Sequence, residues 1–319
     1  MTTLIIGSGL VGSQVARLLI EDGERPVLLD HAPQPASIGQ ILDLSKVTMT
    51  EGDILRPLSI IKAIADHKVT SIVHTAAFPM LTLGAQREPY AAINLNIMGT
   101  VNVLEAARVA GIERVVVSSS SVLSSFFAGG EGDGDLMQEE ALPRPTTFYA
   151  ATKQAVESIG LNYARWCGME FAGLRYGAVF GPWNGAGGGG PSNTVRQALA
   201  DAIAGREAKV PEAAMEWVYS IDAARGTVMA LKAKDLGTRV FNITMGALTQ
   251  PADMANAITK AVPGARLKIE TSTTTALSLP NARLLSNPAK AKSVLGYEPK
   301  FKLDAAIADM AAWMKRYPA

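Results

Sequence analysis

"TLIIGSGLVGSQVA", residues 3–16, runs a short apolar stretch into three closely spaced glycines and out into a new apolar repeat. "TLIIG" (3–7) reads as a buried strand. Leu10, Val11, Val15, Leu18 and Leu19 then recur at helical spacing. Gly7, Gly9 and Gly12 stand between the two as G-x-G-x-x-G. The first glycine permits a tight turn, the second a close approach of phosphate to backbone, and the third close packing of helix on strand. The new helix then offers its N-terminus to an anion. The pattern alone is weak evidence; a strand before it and a helix after it make it a dinucleotide-binding signature.

Working outward, "RPVLLD" (25–30) is a second strand that ends in Asp30. A carboxylate there accepts hydrogen bonds from ribose hydroxyls and repels a 2′-phosphate. His31, Ala32 and Pro33 follow, with no arginine, so NAD is expected rather than NADP. Leu10 and Val11 join the glycines as expected cofactor contacts. Asp53, at the end of a third strand (46–53), is a candidate for the adenine amino group with Ile54 over the ring, or else a strand-end turn residue. Further strands are expected at 70–77, 113–121 and 169–177, and helices at 57–67, 94–111 and 151–168. This alternation predicts a Rossmann-type α/β fold, a doubly wound parallel sheet with helices on both faces.

The character changes after residue 176. "YGAVFGPWNGAGGGGP" (176–191) holds seven glycines and two prolines and reads as an irregular loop, with 185–190 a candidate lid. Helices are expected near 193–204, 221–232, 250–261 and 302–315, and strands near 216–219 and 239–243. The division expected is a nucleotide-binding domain over 1–176, to whose sheet the 217–245 region returns, and a smaller, mainly substrate-binding lobe over 177–319.

The bulk numbers exclude other classes. The chain has 319 residues, 48% hydrophobic and 18% charged, with 30 basic against 29 acidic side chains. No basic stripe argues for nucleic acid. No run approaches the ~20 apolar residues of a membrane span. The lone cysteine, Cys167, forbids an intramolecular disulfide and a cysteine-rich metal site, and the three histidines are scattered, so no metal is expected. Without a recognisable leader, a cytoplasmic protein is the expectation.

"FYAATKQA" (148–155) places Tyr149 and Lys153 four apart, on one face of a helix. A surface pair of this kind is common. Here "GSGLVG", "EGDIL", "VHTAA", "NIMGTVNVLEAA", "VVVSSSS", "YAATK", "LRYGAVFGP" and "VYSIDAARG" occur in order. Together they resemble an extended short-chain dehydrogenase/reductase of the NAD-dependent epimerase/dehydratase group, and "NPAKAKSVLGYEPKFKLDAAI" (287–307) is similar to that group's closing segment. The resemblance implies a Ser–Tyr–Lys centre. Tyr149 would exchange a proton with a substrate hydroxyl, helped by the Lys153 ammonium, which would also hold the nicotinamide ribose. It implies that the orienting hydroxyl lies three positions before a valine. Val122 then selects Ser119, with Ser120 as runner-up. It implies that Ala76 and Ala77 let the cofactor lie against the fourth strand and that Asn96 holds active-site backbone. His74 is expected to be a core histidine. Dimerisation through helices near 94–109 and 150–166 is implied too.

Two departures bear on substrate. Ala178 stands where nucleotide-sugar enzymes of the group carry Asn, and Met215 and Glu216 stand where they place Arg before the aromatic pair. The expectation is therefore a small hydroxylated substrate, bound by Phe78, Thr82, Ser119, Ser120, Gly177 and Trp183, with Tyr219 a further candidate. Arg196 or Arg206 is a candidate substitute for the missing cation. The leading expectation is an NAD-dependent dehydrogenase of a small sugar, sugar acid, hydroxy acid or amino acid. An epimerase that recycles bound NAD and a non-catalytic NAD-binding regulator are the alternatives. "SSSSVL" supplies no carboxylate, which argues against a dehydratase.

Overall fold

The computed structural model describes residues 2–125, 136–137, 139–140, 145, 147–270 and 285–318. Seven strands form the central sheet: β1 (Thr3–Ile6), β2 (Val27–Asp30), β3 (Thr48–Glu51), β4 (Ser71–His74), β5 (Arg114–Ser120), β6 (Glu170–Tyr176) and β7 (Thr238–Ile243). All pair in parallel, in the order β7-β6-β5-β4-β1-β2-β3. The chain winds outward from β1 in both directions, so a crevice opens at the carboxyl ends of β1 and β4, where such sheets bind ligands.

Strand alternation divides the core between two faces. Ile5, Leu28, Val73, Val116 and Leu174 pack with the helices Leu10–Glu21 and Ser220–Lys232. Leu4, Ile6, Leu29, Ile72, Val115, Val117 and Phe171 pack with Pro57–His67, Gly99–Val109 and Phe148–Cys167. Strands covered on both sides need apolar residues at successive positions, which is why their sequences read as unbroken runs. The long helix Phe148–Cys167 lies close to β6: a Cβ on Gly160 would stand 2.2 Å from the Phe171 ring.

The structure departs from expectation in four places. The stretch 176–191 is partly regular. Ala178–Phe180 is a strand parallel to Met215–Tyr219, which in turn meets Leu248–Thr249 antiparallel. The next helix starts at Gly189, earlier than its apolar pattern suggested. Gly187 and Gly188 take left-handed φ of 86° and 90° and turn the chain into it, and Pro191 sits in its first turn, where a proline costs no hydrogen bond. Within 217–245, only Thr238–Ile243 joins the central sheet. The helix expected over 94–111 is divided, with a π turn at Asn94–Met98 leading into Gly99–Val109. A separate core of Phe180, Leu199, Trp217, Tyr219, Ile258 and Met310 supports this lobe. Among the described residues, no helix is long and apolar enough to cross a membrane.

Candidate active site

The three glycines meet different surroundings. Gly7 has φ +97°, and a Cβ there would lie 2.6 Å from the Ala76 backbone N. A Cβ on Gly12 would lie 1.9 Å from the Gly7 carbonyl O, so this glycine closes the helix onto the strand. A Cβ on Gly9 would meet nothing within 4 Å. That open face, at the amino end of the Leu10–Glu21 helix, is a cradle that suits a pyrophosphate. Asp30 is held beside it. Its Oδ2 accepts hydrogen bonds from the Ser8 backbone N at 2.8 Å and the Ser8 hydroxyl at 2.9 Å, and its Oδ1 from the Ala32 N at 3.0 Å. Burial pushes this carboxyl up, but the Ser8 and Ala32 bonds and nearby His31 outweigh it, and the group lies below its usual range. Asp30 is thus an ionised, oriented acceptor. Ser8 escaped the sequence reading because the motif is defined by its glycines.

One cleft of about 1090 Å³ runs from here to the second lobe. That exceeds the roughly 300–1,000 Å³ of a single small-molecule site, leaving room for cofactor and substrate together. Gly7, Gly9, Leu10, Val11, Asp30, Asp53, Ile54, Ala76 and Ala77 line one end. Asp53 also serves its turn, its Oδ1 accepting from Leu55 N at 2.8 Å. Gly99 leaves the space that Ile54 fills, since a Cβ there would stand 2.5 Å from the Ile54 side chain. Gly12 and Asn96 do not line the cleft. Asn96 works behind it: its Oδ1 accepts from Phe78 N at 2.7 Å, and its Nδ2 donates to the Thr152 hydroxyl at 3.0 Å, which donates in turn to the Tyr149 carbonyl at 2.8 Å.

Tyr149 and Lys153 line the middle of the cleft from the first turns of the long helix, which Thr147 caps through Ala150 N. The Lys153 Nζ donates to the Ser118 carbonyl at 2.8 Å and lies 5.8 Å from the centre of the Tyr149 ring. Burial pulls Lys153 down to about 8, with Glu157 opposing. Burial pushes the Tyr149 phenol up to about 12, opposed by a hydrogen bond with the Ser120 side chain. Burial of the phenol therefore opposes the help expected from Lys153.

Ser119 and Ser120 meet different partners. Ser119 follows Val115 and Val117 on the β5 face that packs against the long helix, and its hydroxyl donates to Glu157 Oε1 at 2.5 Å. Glu157 is held by Arg175 at 2.9 and 2.8 Å, and Arg175 is the register partner of Ser119 on β6. Ser119 is thereby committed to a buried ion pair, although part of it reaches the cleft wall. Ser120, at the strand's end, is the serine that meets Tyr149. Glu157 and Arg175 were absent from the sequence reading. Their signal was Glu157 on the Tyr149–Lys153 helix face, one turn further on.

At the far end, Phe78, Thr82 and Gly177 line the cleft as expected, beside Leu81, Ala178, Val179 and Met215. Trp183 does not. It is 2% exposed, packed in the core, with its Nε1 donating to the Ala186 carbonyl at 3.1 Å. Tyr219 is likewise buried, bonded to Asp309. Glu216 lines the cleft, and burial raises its carboxyl against hydrogen bonds from Ser286 and Thr244. Neither candidate arginine compensates for Met215. Arg196 is engaged by the Trp183 carbonyl and Asn193, and Arg206 pairs with Asp201. Among the described residues lining the cleft there is no guanidinium. His74 is buried, bonded to the Thr100 hydroxyl at 3.2 Å and held down to about 3 by burial and by Lys153, so it is a neutral core residue.

Residues 3–244 match the NAD dependent epimerase/dehydratase family. UDP-glucuronate 4-epimerase 5 of Arabidopsis thaliana is 27% identical over 339 residues, which cover 98% of this chain and 75% of that protein. UDP-glucuronate 4-epimerase of Thermodesulfobacterium geofontis is 22% identical, with 97% and 94% covered. The crystal structure of Thermus thermophilus UDP-glucose 4-epimerase in complex with NAD superposes with a TM-score of 0.84, at 22% identity and 100% coverage of both chains. UDP-glucuronic acid 4-epimerase of Bacillus cereus, in complex with UDP-glucuronic acid and NAD, gives 0.81 at 23% identity, with 99% of each chain covered. With the glycine cradle, the oriented Asp30 and the Tyr149–Lys153 pair along one cleft, the chain belongs to the NAD-dependent epimerase/dehydratase family of enzymes, with NAD as its cofactor.

Proposed function

We propose that this enzyme is a sugar epimerase that inverts a carbon bearing a secondary hydroxyl and keeps its NAD between turnovers. The observation that carries this reading is the meeting of Tyr149, Ser120 and Lys153 midway along one cleft, between the glycine cradle and an apolar lobe wall. Bound NAD supplies the acceptor for the hydrogen that leaves the substrate carbon and gives it back. Tyr149 takes the hydroxyl proton as the carbon is oxidised and returns it on reduction. Ser120 orients the reacting oxygen beside the phenol. Lys153, fixed on the Ser118 carbonyl, places a cation next to the phenolate as it forms. Inversion requires the oxidised sugar to turn over before it is reduced. A wall of Leu81, Ala178, Val179 and Met215 offers that sugar few fixed hydrogen bonds to break. Relatives named as UDP-sugar 4-epimerases support the reaction type.

The lobe wall also favours a second reading, a dehydrogenase of a small polar substrate that releases NADH. A diphosphate calls for cationic or amide donors, and the described lining offers no guanidinium there. Incubation with NAD and UDP-glucuronate, UDP-glucose, free sugars or hydroxy acids separates the two. The epimerase reading expects a new sugar epimer without net NADH absorbance, abolished by Tyr149→Phe. Stoichiometric NADH with an oxidised product would overturn it. We also assign a homodimer through the faces that expose Met98, Val109 and Trp166. A monomeric mass by sedimentation would refute that.

A further inference from the structure

Two segments far apart in sequence meet at the Asp30 end of the cleft. One is residues 34–40, shortly after β2. The other is residues 183–186, in the connection between the strand Ala178–Phe180 and the helix Gly189–Ile203. The Gln34 side-chain amide bonds both backbone groups of Ala186. Its Oε1 accepts from Ala186 N at 2.6 Å, and its Nε2 donates to Ala186 O at 3.4 Å. Asn184 adds a second tie, its Nδ2 donating to Gln40 Oε1 at 3.1 Å and to the Tyr317 carbonyl at 2.9 Å. Gly185 is enclosed between them. A Cβ there would stand 2.4 Å from the Trp183 ring and 2.7 Å from Gln34 Oε1. Trp183 is thus the buried floor on which this connection rests.

The contact forms part of the cleft wall. Gln34 follows Asp30, His31 and Ala32 along one lip, and Ala186 is followed by Gly187–Gly190 along the other. Directly after Ala186, Gly187, Gly188 and Gly189 take φ of 86°, 90° and 76°. Three successive left-handed glycines are a place where the backbone can swing with little steric penalty. The connection is therefore pinned by Gln34 and Asn184 on one side and bounded by left-handed glycines on the other.

We propose that Gln34 is a cofactor-retaining clasp: its paired bonds to Ala186 hold the 183–190 connection against the nucleotide-binding half and slow the escape of a dinucleotide from the Asp30 end. This rests on the reading of a cofactor kept between turnovers and gives that retention a residue. A recycling enzyme is served by a closed lip, whereas one that releases NADH at each turnover needs the lip to open.

The test is the release of NADH itself. The full-length protein is loaded with NADH and mixed rapidly with excess NAD, and the loss of NADH fluorescence is followed. Gln34→Ala, at a half-exposed position, is expected to speed release about tenfold, as the loss of two neutral hydrogen bonds predicts. Gly185→Ala, which drives a methyl into the same contact from the loop side, is expected to do likewise. A Gln34→Ala release rate within twofold of wild type overturns the clasp and leaves the cofactor reading intact. A wild-type protein that binds neither NADH nor NAD overturns both.

Discussion

Ser119 and Ser120 are adjacent in sequence and differ in role because a strand's side chains alternate. Ser120 meets the Tyr149 phenol; Ser119 is spent on Glu157. Ser120→Ala is expected to lower kcat about 10²-fold, as loss of a donor to a reacting oxygen does, with thermal stability close to wild type. Ser119→Ala is expected to show the opposite balance. Most of kcat remains, and stability falls by about 1–3 kcal/mol because a buried carboxylate loses a donor. Steady-state kinetics and urea unfolding of both variants decide; a larger kcat loss for Ser119→Ala would reverse the assignment. The serine cluster was legible in the sequence, but the partner of each serine was not. Counting back three from Val122 selects Ser119, whereas parity with Val115 and Val117 sends that side chain into the helix packing. Trp183 is a similar case, since an aromatic in a glycine-rich stretch has the same sequence signature whether it touches a ligand or supports a loop.

The long helix Phe148–Cys167 shows how one element joins chemistry to fold. Tyr149, Lys153 and Glu157 succeed one another at four-residue spacing along a single face, and each is joined to β5, at Ser120, at the Ser118 carbonyl and at Ser119. Glu157 is also joined to β6, where its pair with Arg175 is doubly hydrogen-bonded and both partners are at least nine-tenths buried. Removing one member strands the other charge. Glu157→Ala is expected to cost about 3–5 kcal/mol of stability, whereas replacing both by apolar residues of similar volume, Glu157→Leu with Arg175→Met, is expected to cost less than the single change. Urea unfolding checks both, and a single variant as stable as the double would contradict it. The helix itself was readable from its apolar spacing. The ion pair inside it was not, because a charged residue in a helical pattern normally marks the solvent face, and only the register of β5 against β6 brings Arg175 beneath it.

At the scale of the whole molecule, what the sequence carried well was local and repetitive: runs buried on both faces and the glycine turn. It carried poorly what depends on contacts across long separations, such as the Gln34–Ala186 junction or the pairing of Met215–Tyr219 with Ala178–Phe180. Those contacts build the cleft's walls from both lobes, and this makes stability a reporter of what the cleft holds. A ligand that binds only the assembled lobes raises unfolding free energy by about 2.7 kcal/mol at a concentration 100 times its Kd. NAD is therefore expected to raise the melting temperature. NADP is expected to raise it far less, because Asp30 is ionised, oriented by Ser8 and without an arginine beside it, and its charge opposes a 2′-phosphate. Asp30→Ala is expected to remove most of the NAD shift and narrow the gap between the two cofactors while lowering the ligand-free melt only modestly, since Asp30 bonds just Ser8 of the neighbouring glycine turn and Ala32 of its own. Thermal melts of both proteins with each dinucleotide make the comparison. Equal shifts for NAD and NADP in the wild-type chain would show that the carboxylate after β2 does not set cofactor choice here.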